Sequence, residues 1–422
     1  MKLPRLPHAL FSVLGMAIWS AGNFLMNSGI AKKGTPTEQA AYLIALAVAT
    51  PICDFAFLGL RGLQNSDGKG EYSFGEYLAL RLAGIATSLS VLLAWAAISQ
   101  ETPYAREMTL LFALRVALDA VIEIYNGLTQ RLGRLDLAAL SLAGRGVIGT
   151  VGFLSGLLLG YGLVGALVGQ AAASLLMLIA VDAPTAARTA ARSEEKARVG
   201  RVLENGLLPA FHWDNLGRLL KLAFPLGITI LLVSANSQIG RLFAAHFLSQ
   251  VEFRTFGFLF TLTALVKIFI VSLGIAASTS LGSARAAADR KWFVKTANRL
   301  LGAAGALTLL TVVGAAVAGR PAVALVYRPE FAQDGFLIVL MFLAGGVACL
   351  ASAQGYILTA LRVLKVQVPI YGFGLLSAIA LNAALMPTLG ARGAAWAFLG
   401  SSLIIVAVSQ HFIAKAMRGW EA

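Results

Sequence analysis

The stretch MTLLFALRVALDAVIEIYNGLTQ, residues 108–130, is long enough to cross a bilayer as a helix, yet Arg115, Asp119 and Glu123 sit in its middle. At about 100° per residue, those three and Asn126 and Gln130 fall within an arc of roughly 80°. Leu110, Leu111, Leu114, Ala117, Leu118, Val121 and Ile122 lie largely elsewhere around the helix. An ionised group at membrane depth costs several kcal/mol, so such side chains face partners or a wet cavity. The stripe therefore predicts a polar cavity inside a membrane protein.

The rest of the chain supplies the membrane protein. Hydrophobic residues make up 58% of its 422 positions and charged residues 13%, a balance that soluble globular domains do not have. The apolar runs are continuous and about 20 residues long, unlike the short alternating segments of an outer-membrane barrel. About twelve spans are expected, near 9–29, 40–60, 77–98, 108–129, 137–160, 163–181, 219–238, 255–277, 300–318, 335–353, 367–386 and 394–414. Lys2 and Arg5 precede an apolar run that is longer than a signal-peptide core, so the first span is expected to be retained.

With the N-terminus inside, cytoplasmic segments hold roughly 22 Lys and Arg and external loops roughly 7, which predicts both termini in the cytoplasm. Much of the formal charge of +14 is then an orientation signal rather than a nucleic-acid footprint. Residues 184–218 form the long polar interruption. They read as a cytoplasmic linker between an N-terminal six-helix lobe (1–183) and a C-terminal one (219–422), with Glu194 and Arg198 spaced for a solvated helix. Residues 283–299 carry Trp292 and Phe293 among Arg285, Arg290, Lys291 and Lys295, a pattern suited to a helix in the headgroup region or to an ordinary loop. Pro51, Pro225-Leu226-Gly227, Pro369, Gly372 and Gly374 are expected bending points.

Beyond the opening stripe, Asp54, Arg81, Arg145, Arg241 and Lys267 fall within or at the edges of apolar spans. Cations thus outnumber anions at membrane depth. Arginine's planar fork binds two oxygens and stays charged, so these positions are candidates for binding phosphate or acidic sugar. Arg81, Arg115, Arg145, Arg241 and Lys267 are the substrate-binding candidates. Asp54, Asp119 and Glu123 are candidates for charge pairing or ion coupling, and Asn126 and Gln130 for lining the cavity. The blander reading pairs Arg115 with Asp119 and Arg81 or Arg145 with Glu123, leaving Arg241 to snorkel outward.

Several classes are excluded. Gly68-Lys69-Gly70 does not make a phosphate loop, so ATP hydrolysis by this chain is not expected. His8, His212, His246 and His411 make no metal spacing, and no catalytic constellation is visible. Cys53 and Cys349 read as small apolar packing residues. Neither an enzyme nor a cofactor is expected.

A resemblance follows from particular residues. Leu60-Arg61 with Asp67, Phe74, Tyr77 and Arg81 resembles the loop after the second span of bacterial polysaccharide exporters. Gln130-Arg131 with Arg134, Asp136, Ser141 and Arg145 resembles the stretch joining their fourth and fifth spans. Ala223-Phe224-Pro225-Leu226-Gly227 with Arg241 downstream, and Val326-Tyr327-Arg328-Pro329-Glu330-Phe331-Ala332, are similar to their seventh-span opening and an external loop. Leu358-Thr359-Ala360-Leu361-Arg362 and Gly393-Ala394-Ala395-Trp396-Ala397 match later landmarks. The family is the polysaccharide-biosynthesis flippase branch of the multidrug/oligosaccharidyl-lipid/polysaccharide (MOP) exporter superfamily.

The resemblance implies an all-α, MATE-like fold with two six-helix lobes around a central cavity. It also implies a monomer in the bacterial inner membrane that moves a polyprenyl-pyrophosphate-linked oligosaccharide between leaflets, with membrane lipids and polysaccharide polymerase machinery as partners and no nucleic acid. A drug or organic-cation antiporter of the same superfamily is the near alternative. A peptidoglycan-precursor flippase would usually carry extra spans. A membrane glycan polymerase or ligase is the alternative from another class, but the longest external loop, 319–334, is short for one.

Overall fold

The computed structural model describes residues 6–67, 70–192, 203 and 206–420. The expected Glu194–Arg198 helix lies outside them, as do Lys2, Arg5 and Lys69. The described residues are overwhelmingly helical: α1 Leu6–Lys33, α2 Pro36–Ala56, α3 Leu60–Ser66, α4 Phe74–Ile98, α5 Pro103–Arg131, α6 Leu135–Leu158 and α7 Gly162–Met177. A π-helical turn, Leu178–Asp182, joins α7 to α8 Ala183–Ala191. Then follow α9 Trp213–Phe247, α10 Gln250–Ala286, α11 Arg290–Val326, α12 Gly335–Ala360 and α13 Gln367–Arg418.

Among the described residues, nine helical segments are long and apolar enough to cross a membrane. The opening helix, α5, is not one of them, because its middle carries Arg115, Asp119 and Glu123. Each expected span falls on a helix. The last two share α13, which is interrupted at Gly390 (φ 58°, ψ −139°). Helix starts are set locally. Thr35 with Glu38, Ser73 with Glu76, and Ser249 with Glu252 form capping boxes at α2, α4 and α10.

The chain divides into two compact units, Met1–Ser234 and Ala235–Ala422, and the division falls inside α9 rather than at 218/219. The reason is packing: Leu216, Leu219 and Ala223 of early α9 are buried with Phe74, Tyr77 and Leu78 of α4 and Ile124 and Leu128 of α5. In the first unit α6 approaches its neighbours through small residues. A Cβ on Gly22 would meet the Gly146 carbonyl at 2.5 Å, and one on Gly152 would run into the Gly169 carbonyl. Helices without a hydrophobic drive to associate pack by such close approach, and it fixes α6, which carries Arg145.

Two of the expected bending prolines lie inside continuous helix. Helix α2 runs through Pro51 and ends where Leu58 and Gly59 adopt left-handed φ of 54° and 60°. Helix α9 continues through Pro225. In the second unit, residues 283–299 are the end of α10, a turn at Ala288 (φ 54°) and the start of α11 capped by Asp289. The segment is a helical hairpin tip rather than a separate surface helix. The motif around Pro329 is a short 3₁₀ turn, Pro329–Ala332, locked by Arg254 to Glu330 at 3.3 Å and by Phe258, Tyr327 and Phe331 rings.

Candidate functional site

The stripe on α5 is the spine of a charge network inside the first unit. Arg115 reaches down one turn to Asp119, Nη2 to Oδ2 3.0 Å. Arg145 arrives from α6 and places Nη1 3.6 Å from the other carboxylate oxygen. Ser174 of α7 donates to that same oxygen at 2.9 Å. With its amide oxygen turned inward, Gln170 of α7 accepts from Arg115 Nε at 3.2 Å and Nη2 at 2.8 Å. One carboxylate thus anchors two guanidiniums from two helices.

One turn further along α5, Glu123 meets Arg81 of α4, Nη2 to Oε2 4.0 Å. Arg81 is 1% exposed, lies 4.9 Å from the Phe57 ring centre, and its Nε and Nη1 meet no hydrogen-bond partner among the described residues. The Glu123 side chain is 41% exposed, the most open member of these ion pairs along α5. Asp54 of α2 lies in the field of both and accepts from Ser234 Oγ at 2.7 Å. Asp119 and Glu123 therefore each face their own arginines rather than each other.

Two charged members were not among the expected site residues. Arg61 is carried on α3, which the left-handed turn at Leu58 and Gly59 redirects toward α5, and it feels both Glu123 and Arg145. Asp182 ends the π turn, is 3% exposed, and stands by Ser141, Asn126 and Arg145, with Oδ2 lacking a hydrogen bond. Both fell just past expected span ends, where a charge reads as loop. Gln170 and Ser174 make a four-residue polar spacing on an otherwise apolar helix and mark its face toward Arg115 and Asp119, while the π turn that follows brings Asp182 beside Arg145.

Asn126 donates to Ser141 at 2.8 Å and so orients the wall next to Asp182. Gln130 is spent at the helix end, accepting from Asn65 at 2.9 Å beside the Arg131–Asp67 ion pair. Arg241 and Lys267 belong to the second unit. Arg241 donates to Gln238, Gly257 and Thr261 and lies over the Phe260 ring at 4.7 Å. Lys267 has Cys349 as its neighbour and makes no ion pair or hydrogen bond among the described residues. The expected surplus of cations is thus a property of the second unit. In the first, Arg61, Arg81, Arg115 and Arg145 formally balance Asp54, Asp119, Glu123 and Asp182.

Comparison with known proteins gives a fold and no closer relation. No family model matches the chain, and no curated protein matches its sequence. Among solved structures, the lipid II flippase MurJ in an inward closed conformation superposes with a TM-score of 0.74 at 16% identity, over 97% of this chain and 89% of that one. An inward-facing multidrug resistance MATE family transporter of the MOP superfamily gives 0.68 at 15% identity, over 97% and 99%. A MOP superfamily transporter from Pyrococcus furiosus, for which reversed polarity of the binding pocket suggests a different function, gives 0.65 at 16%, over 98% and 95%. The chain has the all-α, many-span fold of these membrane transporters.

Proposed function

We propose that this protein is an exporter that moves a polyprenyl-pyrophosphate-linked oligosaccharide from the cytoplasmic to the outer leaflet of a bacterial inner membrane. It acts by alternating access, with no covalent chemistry and with both termini in the cytoplasm. One observation carries the reading: four buried or half-buried arginines gather along α5, Arg115 from α5 itself and Arg61, Arg81 and Arg145 from α3, α4 and α6. Guanidinium forks of that number suit a diphosphate, whose oxygens replace carboxylates one for one. The open Glu123 is the carboxylate displaced first, which frees Arg81 for the incoming headgroup.

The test is translocation in proteoliposomes of a fluorescent polyprenyl-pyrophosphate oligosaccharide, scored by accessibility to an external quencher. Protein-dependent appearance of the headgroup outside, lost in Arg115→Ala and Arg145→Ala proteins that still insert, is the expected result. Normal movement by both variants would sink the site assignment.

A second reading has its own support. The first-unit cluster is formally balanced and includes the open carboxylate Glu123, which a cation could also approach, and the fold is shared with a multidrug resistance transporter. Efflux of cationic dyes, with no movement of the pyrophosphate lipid, would favour that antiporter over the flippase.

A further inference from the structure

We infer that the second unit holds a phosphate-binding cleft at one end of α10 and α12, built to seat the headgroup of an anionic phospholipid. The cleft has a volume of about 590 Å³ and is lined by Ser278, Gly282 and Arg285 of α10 and by Thr359, Ala360 and Arg362 at the end of α12. It is separate from the α5 network and does not depend on the cargo proposed for that network.

Backbone geometry is the first argument. Arg362 sits just beyond the end of α12 with φ 61°, the left-handed position that closes a helix and that glycine usually fills. Its N–H donates to Thr359 O and the next N–H to Leu358 O, so the conformation is built into the cap. A side chain there is sterically disfavoured. Holding an arginine at that place aims a guanidinium at the cleft in return for the strain.

Charge is the second. Two other arginines of this unit have carboxylate partners: Arg254 has Glu330 and Arg392 has Asp334. Arg285 instead stacks on the Trp420 ring at 4.2 Å, and Trp420 packs on Phe293 at the α10–α11 turn. From Gly335 to Trp420 the sequence contains no aspartate or glutamate. Neither Arg285 nor Arg362 forms an ion pair among the described residues, so both forks are available to an external anion.

Shape identifies the anion's source. Ile275 continues the Ser278–Gly282–Arg285 stripe one turn into the span and is 51% exposed. An acyl chain would lie over it while the phosphate meets the arginines. Gly282 forms the floor, and a Cβ there would meet nothing within 4 Å.

The full chain, delipidated in detergent, is titrated with phosphatidylglycerol, phosphatidylcholine or glycerol 3-phosphate, with bound lipid counted by native mass spectrometry. Wild type should retain phosphatidylglycerol about tenfold more tightly than phosphatidylcholine. Arg285→Gln with Arg362→Gln should remove that preference, as should Gly282→Leu, which fills the cleft and leaves every charge in place. Arg362→Gly should weaken binding while melting no lower than wild type in delipidated detergent. Lys291→Gln with Lys295→Gln, on the neighbouring turn, should change nothing. Displacement by glycerol 3-phosphate at equal concentration would keep the phosphate site and assign it to a soluble ligand. Equal loss in the lysine variant, or full binding by Gly282→Leu, would overturn the cleft in favour of diffuse surface charge.

Discussion

Asp119 is the residue on which the first unit's charges depend most. It takes Arg115 on one oxygen and Arg145 and Ser174 on the other. Asp119→Asn leaves two guanidiniums in a poorly solvated place without their shared counter-charge, a loss of roughly 3 kcal/mol. Thermal unfolding in detergent should show the melting temperature falling by roughly 5–10 °C. Asp182→Asn should cost clearly less, since an amide can still bond Ser141 and Asn126; an equal fall would make Asp182 the principal anchor of Arg145. Arg81 poses a different test. Removing Arg81 strands Glu123, but that side chain is 41% exposed and can be hydrated, so the cost is smaller than for a charge left buried without its partner. Arg81→Met should therefore melt within a few degrees of wild type and yet lose headgroup translocation at least tenfold. Parallel loss of folding and transport would make Arg81 a packing residue.

At the scale of elements, the most constrained point is the break in α13. Gly390 has φ 58° and ψ −139°, a region closed to residues with a side chain, and a Cβ there would lie 2.6 Å from Glu252 Oε1 of the α10 capping box. Gly390→Ala should destabilise by about 1–3 kcal/mol, seen as an earlier thermal transition and lower yield from membranes. The twelve apolar runs were legible because a bilayer demands about 20 apolar residues per crossing. The α5 stripe was legible because helical periodicity puts positions 115, 119 and 123 on one face. Breaks were not: proline marks where a hydrogen bond is missing, but Pro51 and Pro225 are accommodated within α2 and α9. The chain instead turns at Leu58 and Gly59, where left-handed backbone leaves little trace in composition. Arg61 and Asp182 were missed for the same reason, because a turn and a π-helical insertion change which way a side chain faces without changing what it is.

For the whole molecule, orientation is open to direct test. Helix α11 separates the Ala288 turn from the Pro329 turn, and the proposed topology puts the first inside the cell. With Cys53 and Cys349 both buried, single cysteines at Ala288 and Gln333 report the two ends cleanly. An impermeant thiol reagent should label Gln333→Cys in intact cells and Ala288→Cys only after permeabilisation; the reverse pattern would invert the chain. The balance of charge around α5 has an electrical consequence. If the network is the carrier proposed above, four arginines against four carboxylates leave it formally neutral when unloaded, so its return between faces would move no net charge through the field. A loaded network carries its anion's charge. Each negative charge leaving an inside-negative compartment at about 100 mV gains about 2.3 kcal/mol. Under a potassium diffusion potential, outward flipping of the pyrophosphate lipid should quicken with voltage while the resetting step stays indifferent to it, making the cell's own voltage a source of direction.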